Sequence, residues 1–240
     1  MIEVRKSEDR GIGKQEWLDA RFSFSFGPYQ DPEQTGFSDL RLLNDDRVAP
    51  GGGFPTHEHK DTEVFSYVLE GALEHRDSMG GGSVVRAGDV IVMSTGSGIT
   101  HSEFNPSTTE AVHFLQIWLV PDRRGVKPRY QQKHFSEQDK RGELCLILSP
   151  DGENGSMGLY QDARVYAGLF HGGDRAELEL APDRYAYIHV IRGCLSVNGN
   201  TLNDGDGARI RDERRLVFSE GEDAEVLVFD LRPQERPEIW

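Results

Sequence analysis

The chain has 240 residues, 36% hydrophobic and 28% charged, with 27 glycines and 11 prolines spread along it, a turn-rich globular profile that excludes a disordered or fibrous protein. Lys and Arg number 27 against 41 Asp and Glu, and the net charge of −14 repels a phosphate backbone, so no nucleic-acid partner is expected. Two cysteines, Cys145 and Cys194, with no CxxC pair exclude a disulfide framework and a thiolate zinc site, and both are expected to be inert core residues.

The first residues, MIEVRKSEDRG, are charged where a signal peptide needs an apolar stretch. No run reaches the roughly 18 apolar residues of a membrane span, so a cytoplasmic protein without a membrane partner is expected. Short segments of alternating polarity follow: ARFSFSFG (20–27), EVFSYVLEG (63–71), DVIVMSTG (89–96), EAVHFLQIWLV (110–120) and AEVLVFDL (224–231). Alternation with a period of two marks half-buried strands. Turn signals separate them, among them DSMGGGS (77–83), RAGD (86–89), SPDGENGS (149–156) and NGN (198–200). DRRGVKPRYQQK (122–133) is basic, but Gly125 and Pro128 make it a solvated loop, and one short polar helix is predicted within HFSEQDKRG (134–142). The fold class that follows is all-β, built as sandwiches or barrels.

The chain also repeats itself. FSYVLEGALEHRDS (65–78) followed by RAGDVIVM (86–93) returns in outline as YIHVIRGCLSVNGN (187–200) followed by NDGDGARI (203–210). Gly71 and Gly193 are 122 apart and Gly88 and Gly205 are 117 apart, close to half the chain. This predicts two β-barrels in tandem, an N-terminal barrel over 1–130 and a C-terminal barrel over 131–240.

The chemistry lies in two alternating clusters, PTHEHKDTE (55–63) and THSEFN (100–105). Residues two apart on a strand share a face, so His57 and His59 project together from one strand, and His101 and Glu103 from another. If those strands run side by side inside the first barrel, three imidazoles and one carboxylate converge and can bind a divalent cation. The set has no thiolate and suits iron, manganese, nickel, copper or zinc. Glu63 competes with Glu103, because its odd number places it on the face of His57 and His59 if the strand is unbroken. Phe114, Gln116 and Trp118 share a face that lines a pocket or packs as core; His113 lies on the other. His75, His134, His171 and His189 have no partnered spacing and read as structural or exposed. Gly88 and Asp89 read as a turn. Carried by the same offsets into the second barrel, His57, His59 and Glu63 become Glu179, Ala181 and Tyr185, while His101 and Glu103 become Phe218 and Glu220, so no metal site is expected there.

GGGFPTHEHKDTEVFSYVLEG (51–71) resembles the first cupin motif, a glycine, HxH, a nearby glutamate and a closing glycine. AGDVIVMSTGSGITHSEFN (87–105) resembles the second, whose histidine is followed four positions on by Asn105. Two departures narrow the resemblance: TGSGIT (95–100) replaces the usual proline-glycine turn, and the motif ends HxE. With FSFGPYQDP (24–32), FSDLRLLNDD (37–46), EHRDSMG (74–80) and QIW (116–118), the chain resembles the pirin family along its whole length.

That resemblance implies a bicupin, two tandem jelly-roll barrels, with one metal ion in the N-terminal barrel held by His57, His59, His101 and Glu103. It leaves Glu63 to orient a histidine. It implies quercetin 2,3-dioxygenase activity, in which dioxygen opens the central ring of a flavonol, a small planar aromatic substrate, and carbon monoxide leaves. Glu103 would be the catalytic base, and iron(II) the first choice of metal. The family also implies an alternative, a redox-responsive regulatory protein that binds a transcription factor or enzyme partner. A different metal-cupin activity is a third reading, because a barrel does not fix its reaction. A monomer is expected.

Overall fold

The computed structural model describes residues 1–237, in which strands dominate and the only α-helix among the described residues is Glu137–Lys140. The chain forms two compact units. One comprises Gly11–His134 with Leu159–Gln161; the other comprises Met1–Arg10, Phe135–Gly158 and Asp162–Arg236.

The first unit holds a seven-stranded sheet whose order is Arg129–His134, Asp89–Ser94, Glu63–Glu70, Val112–Leu119, Leu40–Val48, Leu18–Phe22 and Gly11–Lys14. A four-stranded sheet, ordered Gly53–His59, Ile99–Phe104, Ala72–Asp77 and Gly82–Arg86, completes it. Val68, Ile91, Val112 and Phe114 from the larger sheet cluster with Leu73 and Val85 from the smaller, so the two sheets close on one apolar core. The register sets a second, polar row above that core. Gln116 lies directly opposite Asn44 on one side and Ser66 on the other, and parity puts all three on the face of Phe114 and Trp118. Along that face Phe114 packs in the core and Gln116 hydrogen-bonds Glu103.

The second unit is a nine-stranded sheet in which Tyr185–Val197 pairs along Arg215–Leu231. Its apolar core includes Phe170, Ile188, Leu195, Phe218 and Val226. The repeat is visible in the backbone. Gly71 and Gly193 both take positive φ, 72° and 70°, as do Gly88 and Gly205, 85° and 74°, conformations that side chains resist. After the second pair, Asp89 and Asp206 each accept a hydrogen bond from the backbone N–H three residues earlier, Arg86 and Asn203, at 3.0 Å. The Gly-Asp turn is therefore structural in both units.

Several expectations are corrected. A boundary between 130 and 131 omits two exchanges of chain: Ile2–Arg5 pairs with Gly207–Ile210 in the second unit, and Leu159–Gln161 returns to the first. The basic segment at 122–133 is a loop only in part, since Arg129–His134 pairs with Asp89–Ser94 as an edge strand. The helix is shorter than predicted, starting at a capping box made by Ser136 and Asp139. Cys145 and Cys194 form no disulfide and are of intermediate exposure, not core residues. Cys194 alternates with the fully buried Leu195, which takes the inward position.

The equivalence drawn at the first motif also shifts. His101 pairs with His57 and Ile99 with His59; in the second unit Phe218 pairs with Ala176 and Leu216 with Leu178. The counterparts of His57 and His59 are thus Ala176 and Leu178, in place of Glu179 and Ala181. Glu63 and Tyr185 still correspond, opposite Leu119 and Leu231. The connection before Tyr185 is longer than the one before Glu63, and that moves the offset.

Candidate metal centre

Gly53–His59 and Ile99–Phe104 are neighbouring antiparallel strands, and a bulge between His101 and Glu103 shifts their register. A bulge adds twist and re-aims the side chains beside it. Ile99, His101 and Glu103 are all buried, at the alternating inward positions, whereas His57 is exposed at the edge and His59 is 8% exposed.

Three imidazoles converge. His57 Nε2 lies 3.0 Å from His59 Nε2 and 3.1 Å from His101 Nε2. His57 Nδ1–H donates to the Pro55 carbonyl at 2.8 Å, which leaves its Nε2 with a lone pair facing the other two rings. Imidazole nitrogens bound at right angles to one ion, each about 2.1 Å away, stand about 3.0 Å apart, so this spacing fits a cation between them. Burial, then the neighbouring His57, holds His59 down at about 4. Burial, then His59, His57 and His75, holds His101 down at about 2. Neutral rings at physiological pH offer lone pairs without first losing protons.

Glu103 is fully buried. Its carboxylate accepts from Gln116 Nε2 at 2.7 Å and Ser66 Oγ at 3.2 Å, and the same hydroxyl lies 3.0 Å from Gln116 Oε1. Burial pushes its pKa up to about 7 against the opposing pull of those hydrogen bonds. By donor distance the four predicted ligands fall into two overlapping groups. His57, His59 and His101 form one; His101, Glu103 and His75 form the other, with donor atoms within 4.8 Å of one another in each. Each group is a nitrogen or nitrogen–oxygen donor set of the kind that suits a divalent metal, and His101 belongs to both.

His75 was read from the sequence as structural or exposed. It is 1% exposed, opposite Glu103 across paired strands, 3.0 Å from Asp77 Oδ2 through Nε2, and stacked on Tyr130 at 4.9 Å. The signal was present in EHRDSMG, where His75 and Asp77 alternate as the other clamps do. Ser66 and Gln116 were not assigned to the site either, because nothing local marks a residue that acts from a neighbouring strand.

Glu63 is elsewhere. The strand that carries His57 and His59 ends at His59, a turn with Asp61 at φ 47° intervenes, and Glu63 begins a strand of the other sheet. Parity is lost across that turn. Glu63 accepts from Ser94 Oγ at 2.8 Å and from the Tyr160 backbone, on the face opposite Ser66, and orients no histidine. His113 also faces away, 2.7 Å from Asp45 and 3.0 Å from Arg47. His134 pairs with Asp89 and His171 with Asp223, both exposed, and His189 is fully buried in the second unit.

Aromatic rings border the imidazoles. Trp118 stands edge-on to His59 at 4.9 Å, and Phe26 edge-on to Trp118 at 5.5 Å. On the polar row, Asn44 Oδ1 and Asp46 Oδ1 are buried without a protein partner. Burial, then the Asp45 and Glu103 charges, pushes Asp46 well above the usual carboxylate range.

Residues 4–119 match the family described as Pirin, and residues 146–231 match the one described as Quercetinase C-terminal cupin domain. The chain is 44% identical over 234 residues to a protein of Escherichia coli (strain K12) named quercetin 2,3-dioxygenase, covering 97% of this chain and 100% of that protein. Its structure is similar to the crystal structure of YhhW from Escherichia coli, with TM-score 0.94, 42% identity and coverage of 98% and 100% of the two chains. A second crystal structure, of bacterial pirin YhhW in complex with nickel(II), matches with TM-score 0.93 and 43% identity, again covering 98% and 100%.

Proposed function

The chain belongs to the pirin family, and on that premise we propose that it is a metal-dependent quercetin 2,3-dioxygenase, cleaving a flavonol with dioxygen and releasing carbon monoxide. The observation that carries the reading is the convergence of three imidazole nitrogens at 3.0–3.1 Å beside a buried, doubly hydrogen-bonded carboxylate. We assign His57, His59, His101 and Glu103 as the metal ligands. Iron(II) is the metal we favour for its chemistry with dioxygen, although the donor set accepts manganese, nickel, copper and zinc. A cation bound there supplies Lewis acidity, lowering the pKa of the flavonol 3-hydroxyl.

The chain's own residues do the rest. Glu103 takes the 3-hydroxyl proton at a carboxylate oxygen, from its buried place on the strand that also carries His101. Gln116 and Ser66 fix the orientation of that carboxylate, so the proton has one destination. Neutral His59 and His101 hold their Nε2 lone pairs inward. Trp118 and Phe26 give the planar substrate an aromatic wall and keep bulk water from the reacting ring. A cytoplasmic setting belongs to the same proposal, with Cys145 and Cys194 as reduced thiols. The regulatory alternative is not favoured, since relatives that match over nearly the full chain carry the name of the enzyme.

The test is an aerobic assay of the iron-loaded protein with quercetin, following loss of the flavonol absorbance and release of carbon monoxide. Both are expected, in equal amounts. No turnover with any of the five loaded metals would defeat the reading.

A further inference from the structure

His101 and His75 each carry one ring nitrogen that is fully buried and has no hydrogen-bond partner, Nδ1 in both cases. A buried imidazole N–H or lone pair left unmatched is costly, so two of them in one place need an account. They lie on neighbouring antiparallel strands, Ile99–Phe104 and Ala72–Asp77, with Glu103 opposite His75 and His101 opposite Asp77. Their ring centroids are 5.4 Å apart, and a donor atom of His75 lies within 4.8 Å of one of His101.

The tautomers are complementary. His101 presents Nε2 to His57, so as a ligand through that atom it carries its proton on Nδ1. His75 Nε2 lies 3.0 Å from Asp77 Oδ2, with the two side chains 1% and 0% exposed, and a carboxylate can only accept, so the His75 proton sits on Nε2. His75 Nδ1 is then a lone pair. One orphan is a donor and its neighbour an acceptor. Asp77 is itself anchored, its Oδ1 accepting from the N–H groups of Met79 at 2.8 Å and Gly81 at 3.2 Å.

We propose that His75 is a positioning residue for the metal centre: its Nδ1 accepts the Nδ1–H of His101, directly after a small ring movement or through one buried water, and Asp77 locks the tautomer that makes this possible. The chain Asp77, His75, His101 is then a carboxylate–histidine–histidine relay that aims His101 Nε2 at the ion. Tyr130 supports it by stacking on His75 at 4.9 Å and hydrogen-bonding Ser83 at 2.6 Å. Partners of this kind are worth roughly 10- to 100-fold in metal affinity. The inference rests on the assignment of His101 as a ligand.

The experiment uses the full chain with zinc(II), a diamagnetic probe, and reads affinity and stoichiometry by calorimetry, thermal stability of the metal-free protein, and histidine 15N NMR. Native chain that binds no zinc would overturn the metal assignment itself. If it binds one equivalent, His75→Phe keeps the stack on Tyr130 but removes the acceptor, and is expected to weaken zinc roughly 10- to 100-fold. Asp77→Asn keeps Oδ1 for the Met79 and Gly81 N–H groups but offers His75 an amide donor. That moves the His75 proton to Nδ1 and sets two N–H groups against each other, so a comparable loss is expected with little change in melting temperature. His75→Gln, with an amide oxygen as acceptor, is expected to recover part of the affinity. Wild-type affinity in both His75→Phe and Asp77→Asn would overturn the inference while leaving the metal site intact, and so would two zinc ions per chain, which would make His75 a ligand. Should the variants fail to fold, the spectrum of zinc-loaded native protein decides. It is expected to show His101 protonated on Nδ1 and His75 on Nε2; a His75 protonated on Nδ1 would overturn the proposal.

Discussion

On the rung where His57 faces His101 in the first unit, Ala176 faces Phe218 in the second, and the next rung exchanges His59 and Ile99 for Leu178 and Leu216. The frames share the positive-φ glycines and the Gly-Asp turn, yet the first carries imidazoles on these rungs and a polar row at Asn44, Ser66 and Gln116, whereas the matching rungs of the second are apolar. Phe218 is fully buried and stacks on Phe170 at 6.0 Å. The counterpart His101 is as well buried but has an unmatched ring nitrogen. The same architecture is therefore stable without the imidazoles, which are there for chemistry and at some cost to the fold.

The largest test of that contrast is to write the second unit's rung into the first, as His57→Ala, His59→Leu and His101→Phe together. Metal content after dialysis against one equivalent of iron(II) or zinc(II) is expected to fall from about one to none, and flavonol turnover with it. Melting of the metal-free protein is expected to hold or rise, because the buried imidazoles of His59 and His101 give way to hydrocarbon. His101→Ala alone should also lose most of the metal, whereas His113→Ala, altering a ring on the opposite face, should lose none. Metal retained by the triple variant would show that other donors hold it.

Next in size is Glu103→Gln. The amide preserves volume but cannot take a proton, and kcat is expected to fall about 10²- to 10⁴-fold. If KM rose while kcat held, the carboxylate would be a binding group only. The second unit answers with Phe218→Ala, expected to cost about 3–5 kcal/mol of stability by denaturant unfolding and to leave metal stoichiometry unchanged.

The two strands proposed to hold the metal were legible because their pattern is local: HxH and HxE lie on Gly53–His59 and Ile99–Phe104, and only the bulge between His101 and Glu103 departs from simple parity. The duplication was equally legible, since glycines forced into positive φ punctuate both halves. What failed was everything carried by distant pairing. No feature of MIEVR announces that Ile2 will sit opposite Ile210, and the Ser66 and Gln116 contacts to Glu103 exist only through the register of strands in two sheets. Glu63 misled because parity was carried through a turn at Lys60–Thr62 that the sequence does not advertise. His75 was missed for a different reason: its alternation with Asp77 was in view, but a single histidine beside an acid is usually structural.

Glu63 offers the finest comparison, since the second unit places Tyr185 at the matching position, opposite Leu231 as Glu63 is opposite Leu119. A tyrosine is uncharged at neutral pH, so the frame itself needs no carboxylate there. Glu63 is 1% exposed, and burial raises its pKa to about 7 against the hydrogen bonds from Ser94 and the Tyr160 backbone and the charge of Arg129. A carboxyl whose pKa is higher folded than unfolded binds its proton more tightly in the native state. Its contribution is full below the unfolded pKa of about 4.5 and is lost as pH rises through about 7. Glu63→Gln keeps an oxygen for Ser94 and Tyr160 and removes the ionisation. The stability difference between variant and native protein is therefore expected to grow in the variant's favour from about pH 4.5 to about 7 and then level off, by on the order of 1–3 kcal/mol. Taking that difference at each pH cancels the parallel contribution of Glu103, which both proteins share. A flat difference would mean that Arg129 already holds Glu63 ionised in the fold, and the two units would then differ at this position by a buried ion pair and not by a buried acid.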